Sequence, residues 1–290
     1  MASGSRPCRR RRLLTLPPAP ERAFLVTGAS GGLGSAVTGA LASGGAIVFA
    51  SDADADSLER QSLEKQSWKE SVRALVMDVT DPASVRAARE RVQSSAACLD
   101  GIVFAAGIYA GGPLLDIEPA QVRRVIDVNV VGAVLVAKEF VPLVRKGGRL
   151  VFISSESTRA AMPFTGPYVM SKKALEAYAD TLRRELLPLG IGVIVIQPGA
   201  IRTPLLSSAA ASLDSGSARP AYRDALRKGR AVLEKEMRTG LEADRVAGVI
   251  VRALECRRPR LRYRVGNDLP RALLSRLPAA WIDALVRRFF

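Results

Sequence analysis

Short apolar runs alternate with longer periodic segments from Ala23 to about residue 200. Each run has the length of one strand, and in the segments between the runs apolar residues recur every three or four positions, as in helices. We predict six strands, at Ala23–Thr27, Ala46–Ala50, Val72–Met77, Gly101–Ala105, Arg149–Ser154 and Gly192–Gln197. Helix-length segments between them include Leu33–Ser43, Pro82–Ser94 and Gln121–Arg145. Apolar strands that alternate with helices predict an α/β fold with a doubly wound parallel sheet.

The pattern changes after the sixth predicted strand. Residues 200–219 are rich in Ser, Ala and Leu, and two helical segments follow at Ala221–Arg238 and Ala243–Glu255. A long segment inserted at this point of a compact domain is more often functional than decorative. We therefore interpret residues 200–240 as a substrate lid within a single domain that spans residues 21–268.

The composition excludes several classes of site. The chain has 290 residues, of which 48 % are hydrophobic, so it can bury one large core. It has three cysteines without CxxC spacing and no histidine. These counts exclude a disulfide framework and argue against a zinc site, so we predict no bound metal. They also exclude mechanisms in which histidine is the base, such as the Ser-His-Asp triad.

The net charge of +15 is concentrated at the two ends of the chain. Residues 1–20 carry five arginines and no acid, and residues 252–290 carry ten arginines against three acids. The middle of the chain has no basic stripe interleaved with aromatics, so we predict no nucleic-acid partner. Residues 1–20 have the composition of a mitochondrial presequence, but closely spaced prolines interrupt their helical pattern. We interpret them as a basic, disordered leader and predict a cytoplasmic protein, with a mitochondrial location as the alternative.

Residues 269–290 form a basic amphipathic extension. In a helix over Ala279–Phe290, one side would carry apolar residues, namely Trp281, Ile282, Leu285, Val286 and Phe289. Such a helix can pack on a partner subunit, close a substrate pocket or lie on an anionic membrane surface. We expect packing, with membrane contact as the alternative. That contact would be peripheral, because no uncharged stretch reaches the roughly 18 residues that a membrane span requires.

A glycine-rich turn joins the first predicted strand to the first helix. The segment Thr27-Gly28-Ala-Ser30-Gly31-Gly32-Leu33-Gly34 has the spacing Gly-x3-Gly-x-Gly. Glycines at these points allow a tight turn and the close approach of a pyrophosphate, and the helix N-terminus offers free N–H groups to that anion. The sequence therefore predicts a dinucleotide site on a Rossmann fold.

Acidic residues follow the second and third predicted strands. The carboxylate of Asp52 can accept hydrogen bonds from the adenosine ribose hydroxyls, and its charge would repel a 2′-phosphate. The residues after Asp52 add further acids rather than a base, so we predict NAD in preference to NADP. A second role for Asp52, as a helix N-cap, is compatible with this one. Asp78 and Val79 are placed to meet the adenine edge.

Tyr168, Lys172 and Ser155 have the spacing of a proton relay. If Tyr168 opens a helix, Lys172 lies one turn later on the same face, where its charge would favour the phenolate. A tyrosine base needs such help, because its ordinary pKa is about 10. Ser155 would hold the substrate oxygen from the end of a neighbouring strand. We therefore predict that these three residues take a proton from an alcohol.

With these motifs in order, the chain resembles the short-chain dehydrogenase/reductase family over residues 22–265. Thr27 to Gly34 matches the family's TGxxxGxG turn, and Ser155, Tyr168 and Lys172 match its catalytic residues. The resemblance implies that Lys172 also touches the nicotinamide ribose.

The resemblance extends to three further positions. It implies that Asp78 contacts the adenine and that Asn129 is the active-site asparagine, which helps to hold a water between Lys172 and solvent. It assigns the loop Pro198-Gly199-Ala-Ile201-Arg-Thr203 to the nicotinamide, with the Ile201 backbone and the Thr203 hydroxyl at the carboxamide.

One motif departs from the family pattern. Phe104-Ala105-Ala106-Gly107 stands where the family usually has Asn-Asn-Ala-Gly after the fourth strand. The small Ala106-Gly107 pair still leaves room for the adenosine ribose, but the first asparagine, which helps to tie the sheet, is missing. We expect this difference to affect local stability more than chemistry.

The segment from Pro163 to Glu185 resembles the branch that includes retinol, hydroxysteroid and 3-hydroxybutyrate dehydrogenases. Family members commonly form dimers or tetramers through the helices that correspond to Gln121–Arg145 and Tyr168–Pro188. The resemblance therefore implies a homodimer or homotetramer.

These features predict an enzyme, namely an NAD(P)-dependent alcohol dehydrogenase or carbonyl reductase with a Tyr-Lys-Ser proton relay. The residues that flank the expected pocket are apolar, namely Ala161, Met162, Phe164, Ile201, Leu205 and Leu206. They predict a steroid, a retinoid or another lipid-like alcohol as substrate, whereas a small hydroxy acid would need Arg159 or Arg202 inside. The alternative is a non-catalytic NAD-binding regulator or scaffold, which would need the glycine turn but not the relay.

Overall fold

The computed structural model of the protein describes residues 22–64, 70–213, 219–266 and 277–288. The strands in these residues are β1 Ala23–Thr27, β2 Ile47–Asp52, β3 Val72–Val76, β4 Leu99–Phe104, β5 Val144–Ile153, β6 Gly192–Pro198 and β7 Arg262–Val265. They form one parallel sheet in the order β3-β2-β1-β4-β5-β6-β7. The strand order reverses between β1 and β4, and ligands of such sheets bind at the carboxyl ends of the strands near this point.

Helices cover both faces of the sheet. Within the described residues they are α1 Gly32–Ser43, α2 Ala55–Glu64, α3 Pro82–Ser95, α4 Pro119–Ile126, α5 Gly132–Phe140, α6 Gly166–Glu185, α7 Pro204–Ser212, α8 Arg223–Thr239, α9 Ala243–Glu255 and α10 Ala279–Arg287. One buried apolar cluster packs α3, α5 and α6 on the sheet, and a second packs α1 and α9 on the other face. The predicted doubly wound α/β fold is therefore confirmed.

All six predicted strands are present, and β7 is an additional strand that the pattern did not predict. β7 pairs with β6 at the edge of the sheet and has the sequence Arg-Tyr-Arg-Val. Of these four residues Val265 alone is buried. Because an edge strand this short and this polar lacks the apolar run of a central strand, the hydrophobic pattern does not identify it.

The predicted helix over Gln121–Arg145 is wrong in its extent. The structure divides it into α4, a π-helical turn at Asp127–Val131 and α5, and the chain enters β5 at Val144. Pro142 follows the end of α5, where it lacks the N–H of an α-helical hydrogen bond and lies in a short 3₁₀ turn. The π-helical turn contains Asn129, which is 1 % exposed. Such turns are frequent at functional sites.

The ends of the chain are described in part. The predicted leader, residues 1–20, lies outside the described residues, and so do residues 269–276 and 289–290 of the predicted extension, including Phe289 of its predicted apolar side. The rest of that extension includes α10. No helix in the described parts of the chain is long and apolar enough to cross a membrane.

Candidate active site

A cavity of about 880 Å³ opens at the carboxyl ends of β1, β4, β5 and β6. It brings together the residues predicted for the cofactor and for the proton relay, which come from distant parts of the chain. The predicted residues that line it are Gly28, Gly31, Gly32, Leu33, Gly34, Gly107, Ser155, Tyr168, Lys172, Pro198, Gly199, Ile201 and Thr203. The predicted residues outside its lining are Thr27, Ser30, Asp52, Asp78, Val79, Ala106 and Asn129.

Tyr168 and Lys172 lie one turn apart at the start of α6, as their spacing predicts. The Tyr168 phenol is hydrogen-bonded to the side chain of Ser155, which follows the end of β5. Lys172 donates a hydrogen bond from Nζ to the carbonyl oxygen of Ile153 at 3.0 Å. Its Nζ atom lies 5.6 Å from the centroid of the Tyr168 ring. The three predicted relay residues therefore meet in one place.

Burial changes the proton affinity of both groups. It raises the pKa of Tyr168 to about 12, and the hydrogen bond from Ser155 opposes part of this change. It lowers the pKa of Lys172 to about 8. The expectation that the lysine holds the tyrosine pKa below its ordinary value is therefore wrong for this structure, because burial has the larger effect. At neutral pH Tyr168 is a neutral phenol that can donate a proton.

The Asn129 side chain is used to hold the backbone of the site. Its Nδ2 donates to the Ile108 carbonyl oxygen at 3.0 Å and to the Ser171 hydroxyl at 2.9 Å, and its Oδ1 accepts from the Ile108 N–H at 2.8 Å. A side-chain carbon at Gly107 would lie 3.3 Å from Oδ1 and 3.4 Å from the Lys172 Nζ. Asn129 thus fixes the segment after β4 directly beside the lysine.

The glycine turn has the shape that a pyrophosphate site needs. Gly28 has φ +67°, and a side-chain carbon there would lie 2.7 Å from the Ala106 backbone. At Gly32 such a carbon would lie 2.6 Å from the Thr203 side chain, so the turn and the predicted nicotinamide loop are in contact. No side chain caps the N-terminus of α1. The first residues of α1 line the cavity, where helix N–H groups can bind an anion, and the residues present fit a dinucleotide.

Asp52 is held by the glycine turn. Its Oδ2 accepts hydrogen bonds from the Ser30 N–H at 3.1 Å and the Ser30 hydroxyl at 2.6 Å. Asp54 caps the N-terminus of α2, because its Oδ1 accepts a hydrogen bond from the Ser57 N–H at 3.0 Å. The helix-capping role considered for Asp52 therefore belongs to Asp54. Asp52 is left at the end of β2, beside the turn.

The other predicted cofactor residues outside the cavity lining are held by local contacts. The Thr27 hydroxyl accepts a hydrogen bond from the Ala106 N–H at 3.2 Å and ties β1 to the segment after β4. Asp78 accepts from the N–H and hydroxyl of Thr80, so its carboxylate is held at the end of β3. Val79 packs against Gly132.

The position of the missing asparagine is filled by an aromatic stack. Phe104 is buried, and its ring is parallel to that of Phe152 on β5, with centroids 4.2 Å apart and planes 4° apart. The stack joins β4 to β5. It supplies a contact between neighbouring strands at the position where the family pattern has a polar tie.

The cavity also contains polar residues that were not predicted, among them Tyr109 and Glu236. Tyr109 lies after the carboxyl end of β4, and its ring centroid is 4.9 Å from that of Tyr168. Burial raises the Tyr109 pKa, and the neighbouring Tyr168 and Glu236 raise it further. Glu236 lines the cavity from α8. The position of Tyr109 shortly after a predicted strand could have identified it as a site residue from the sequence. No sequence feature identifies Glu236, because it is one acid in a helix rich in charges.

The remainder of the cavity is mainly apolar. Of the predicted flanking residues, all except Ala161 line it, and the structure adds further apolar residues, among them Leu213, Val232, Leu233 and Val286. Arg159 lines the cavity, whereas Arg202 does not and is paired with Glu242. Val286 belongs to α10, so this helix covers one part of the cavity. On the same helix Trp281 and Leu285 are exposed, by 65 % and 45 %.

Comparison with known proteins agrees with this geometry. The family described as short chain dehydrogenase matches residues 22–214. The chain is 31 % identical to 3-ketodihydrosphingosine reductase of Bacteroides thetaiotaomicron (84 % of this chain, 87 % of the relative) and 32 % identical to human retinol dehydrogenase 5 (93 % and 89 %). It is 34 % identical to mouse mitochondrial D-beta-hydroxybutyrate dehydrogenase (62 % and 54 %).

A solved structure has the same fold. It is a short chain dehydrogenase/reductase from Burkholderia phymatum in complex with NAD, with a TM-score of 0.76, 22 % identity, and 91 % of this chain and 95 % of that chain covered. The family match spans more than half of this chain, and the relatives are named as dehydrogenases and reductases. The chain therefore belongs to the short-chain dehydrogenase family, whose fold binds NAD(P), and is an oxidoreductase.

Proposed function

We propose that this oxidoreductase interconverts an apolar alcohol and its carbonyl with NAD, and that Ser155, Tyr168 and Lys172 form its proton relay. One observation carries the proposal. The phenol of Tyr168 is hydrogen-bonded to Ser155 inside a cavity that also contains the glycine turn and a mainly apolar wall.

The relay acts on the oxygen of the substrate. Ser155 orients that oxygen, and Tyr168 donates a proton to it in carbonyl reduction or takes the proton from it in alcohol oxidation. The nicotinamide supplies or accepts the hydride. Because the Tyr168 pKa is raised to about 12, the neutral phenol is ready to donate, whereas oxidation first requires its deprotonation. Lys172 holds the relay by its hydrogen bond to Ile153 and carries a positive charge close to the phenol ring.

Several residues are placed to hold the dinucleotide. The glycine turn and the N-terminus of α1 would hold the pyrophosphate, and Ile201 and Thr203 the nicotinamide carboxamide. Asp52 would accept hydrogen bonds from the ribose hydroxyls and repel a 2′-phosphate. Its fixed position beside Ser30 supports NAD in preference to NADP.

The mainly apolar lining supports a lipid-like substrate, although Arg159, one of the two arginines that a small hydroxy acid would need, also lines the cavity. Apolar side chains from α7, α8 and α10 form the wall beyond Tyr168, and this supports a lid over residues 200–240. Glu236 adds a negative charge near Tyr109, which disfavours a carboxylate at that point. Retinol and 3-ketodihydrosphingosine, after which two relatives are named, each have a long apolar part.

Two exposed surfaces support association with a second copy of the chain and with a membrane. Val131 and Met170 lie in the two segments through which family members commonly associate and are exposed by 41 % and 47 %, which favours a homo-oligomer. Trp281 and Leu285 are exposed on α10, and Arg287 and Arg288 follow them. That combination supports peripheral contact of a cytoplasmic protein with an anionic membrane, from which a lipid substrate would enter.

The test is turnover by the purified full-length protein with a panel of steroid, retinoid and short hydroxy-acid alcohols, each with NAD and with NADP. We expect reduced cofactor to form with NAD and an apolar alcohol. Formation of reduced cofactor with the hydroxy acids alone would overturn the proposal that the substrate is an apolar alcohol. Tight NAD binding without turnover of any alcohol or carbonyl would favour a regulator built on the same fold.

A further inference from the structure

The carboxylate of Glu176 is the centre of a buried hydrogen-bond network beside the relay. Its Oε1 accepts from the Ser154 hydroxyl at 2.5 Å, from the Thr158 hydroxyl at 2.9 Å and from Nε2 of Gln197 at 2.8 Å. Ser154, Thr158 and Gln197 are all buried. Three donors from two segments, residues 154–158 and β6, therefore share one acceptor atom.

These donors lie on the two sides of Ser155. Ser154 precedes it, and Thr158 follows it in a 3₁₀ turn at Glu156–Arg159. The Thr158 N–H donates to the Ser155 carbonyl oxygen at 3.2 Å. Gln197 is the residue before Pro198, so it stands at the entrance of the predicted nicotinamide loop.

Glu176 itself belongs to the helix that carries the relay. It lies on α6 one turn after Lys172 and two turns after Tyr168, on the same face. One carboxylate thus joins the helix of the proton donor, the segment of Ser155 and the strand that leads to the nicotinamide loop.

The charge of Glu176 has a partner on the edge strand. Nε of Arg262 on β7 lies 3.8 Å from the Glu176 Oε2, and Nη2 of the same arginine lies 2.6 Å from the Asp180 Oδ2. Asp180 is one helical turn beyond Glu176, and none of its contacts reaches the Ser155 segment. Asp180 is therefore a matched control, because its removal breaks the same ion-pair group without disturbing the segment.

We propose that Glu176 is a positioning residue, which sets the distance between Ser155 and Tyr168 by holding the segment on both sides of Ser155. This inference rests on the proposed function for its effect on turnover. Its structural part, the fixing of residues 154–158, does not.

Two measurements on Glu176→Ala, Glu176→Gln and Asp180→Ala test it. In Glu176→Ala we expect kcat to fall at least tenfold with NAD affinity within twofold, and the rising limb of the oxidation rate to move to higher pH, because Ser155 no longer opposes the raised Tyr168 pKa. Glu176→Gln keeps an acceptor oxygen and should recover a large part of kcat. Asp180→Ala should retain the wild-type kcat and pH profile, even if it unfolds at a lower temperature.

Amide hydrogen exchange of residues 154–158 gives a readout that needs no substrate. The Ser154 and Thr158 N–H groups are hydrogen-bonded in the structure, and they should exchange faster in Glu176→Ala but not in Asp180→Ala. Unchanged exchange in Glu176→Ala, or an equal increase in both variants, would overturn the positioning role. If the wild-type protein turns over no substrate, the proposed function fails, and the exchange result alone decides the role of Glu176.

Discussion

The ammonium group of Lys172 lies 5.6 Å from the centroid of the Tyr168 ring and donates to the Ile153 carbonyl oxygen rather than to the phenol. Lys172 is buried and Tyr168 is partly buried at the cavity, and burial moves their pKa values in opposite directions, upward for tyrosine and downward for lysine. Each group is thereby favoured in its uncharged form. This has a measurable consequence for stability.

Lys172 should make the cofactor-free protein more stable as the pH rises from about 8 to about 10.5. The unfolded chain binds the lysine proton with a pKa of 10.5 and the folded protein with a pKa of about 8, so in this window the unfolded state binds more protons. Tyr168 acts with the opposite sign, because its folded pKa of about 12 makes stability fall above pH 10.

The measurement is chemical denaturation of the wild type and Lys172→Met between pH 8 and pH 10. As the pH rises, the free energy of unfolding of the wild type minus that of the variant should increase by up to about 1.4 kcal/mol per pH unit. Parallel pH curves for the two proteins would contradict the burial of a shifted lysine.

Asp52→Ala should reverse the cofactor preference. The substitution removes the charge that would repel a 2′-phosphate and the acceptor that would bind the ribose hydroxyls, so we expect kcat/KM for NAD to fall by roughly tenfold or more and that for NADP to rise. Asp54→Ala is the control, because Asp54 caps α2 and should not affect the preference. Equal NAD/NADP ratios in the wild type and Asp52→Ala would count against this role.

Tyr109 should support Tyr168 through its ring rather than through its hydroxyl. Tyr109→Phe keeps the ring contact at 4.9 Å and should retain kcat/KM within about threefold, whereas Tyr109→Ala should lose roughly tenfold. Steady-state kinetics with an apolar alcohol separates the two. Equal activities of the Phe and Ala variants would show that the ring contact has no part in turnover.

Trp281 should contribute to membrane binding if α10 lies on an anionic surface. We expect Trp281→Glu to reduce sedimentation with vesicles of phosphatidylcholine and phosphatidylserine. Leu187→Glu adds the same charge at another exposed apolar residue, at the amino end of the sheet, and should leave sedimentation unchanged. A protein that does not sediment with these vesicles, or that loses binding equally in both variants, would exclude membrane contact through α10.

Local features of the chain were predictable from the sequence. The glycine turn and the Tyr168–Lys172 spacing depend on a few neighbouring residues, and the central strands have apolar runs that only a buried strand or helix explains. The π-helical turn between α4 and α5 was not predicted, because the apolar pattern of the two helices continues through it. A single proline, Pro142, marks the change to β5.

Contacts between distant segments were not predictable in the same way. Glu176 meets Ser154 and Gln197 from three different elements, and the Tyr109–Tyr168 ring contact joins the end of β4 to α6. No periodic pattern in the sequence indicates either contact, because each depends on how the helices pack on the sheet. The raised pKa of Tyr168 was not predictable either, since the effect of burial by the whole fold on this pKa is larger than that of the neighbouring lysine.

The most direct test of the account is the comparison of wild type and Tyr168→Phe with NAD and the best apolar alcohol of the panel. The variant keeps the ring, so we expect unchanged NAD affinity, measured by equilibrium binding, together with a loss of turnover of at least about a hundredfold. Retention of most of the wild-type turnover in Tyr168→Phe would contradict the assignment of Tyr168 as the group that transfers the proton.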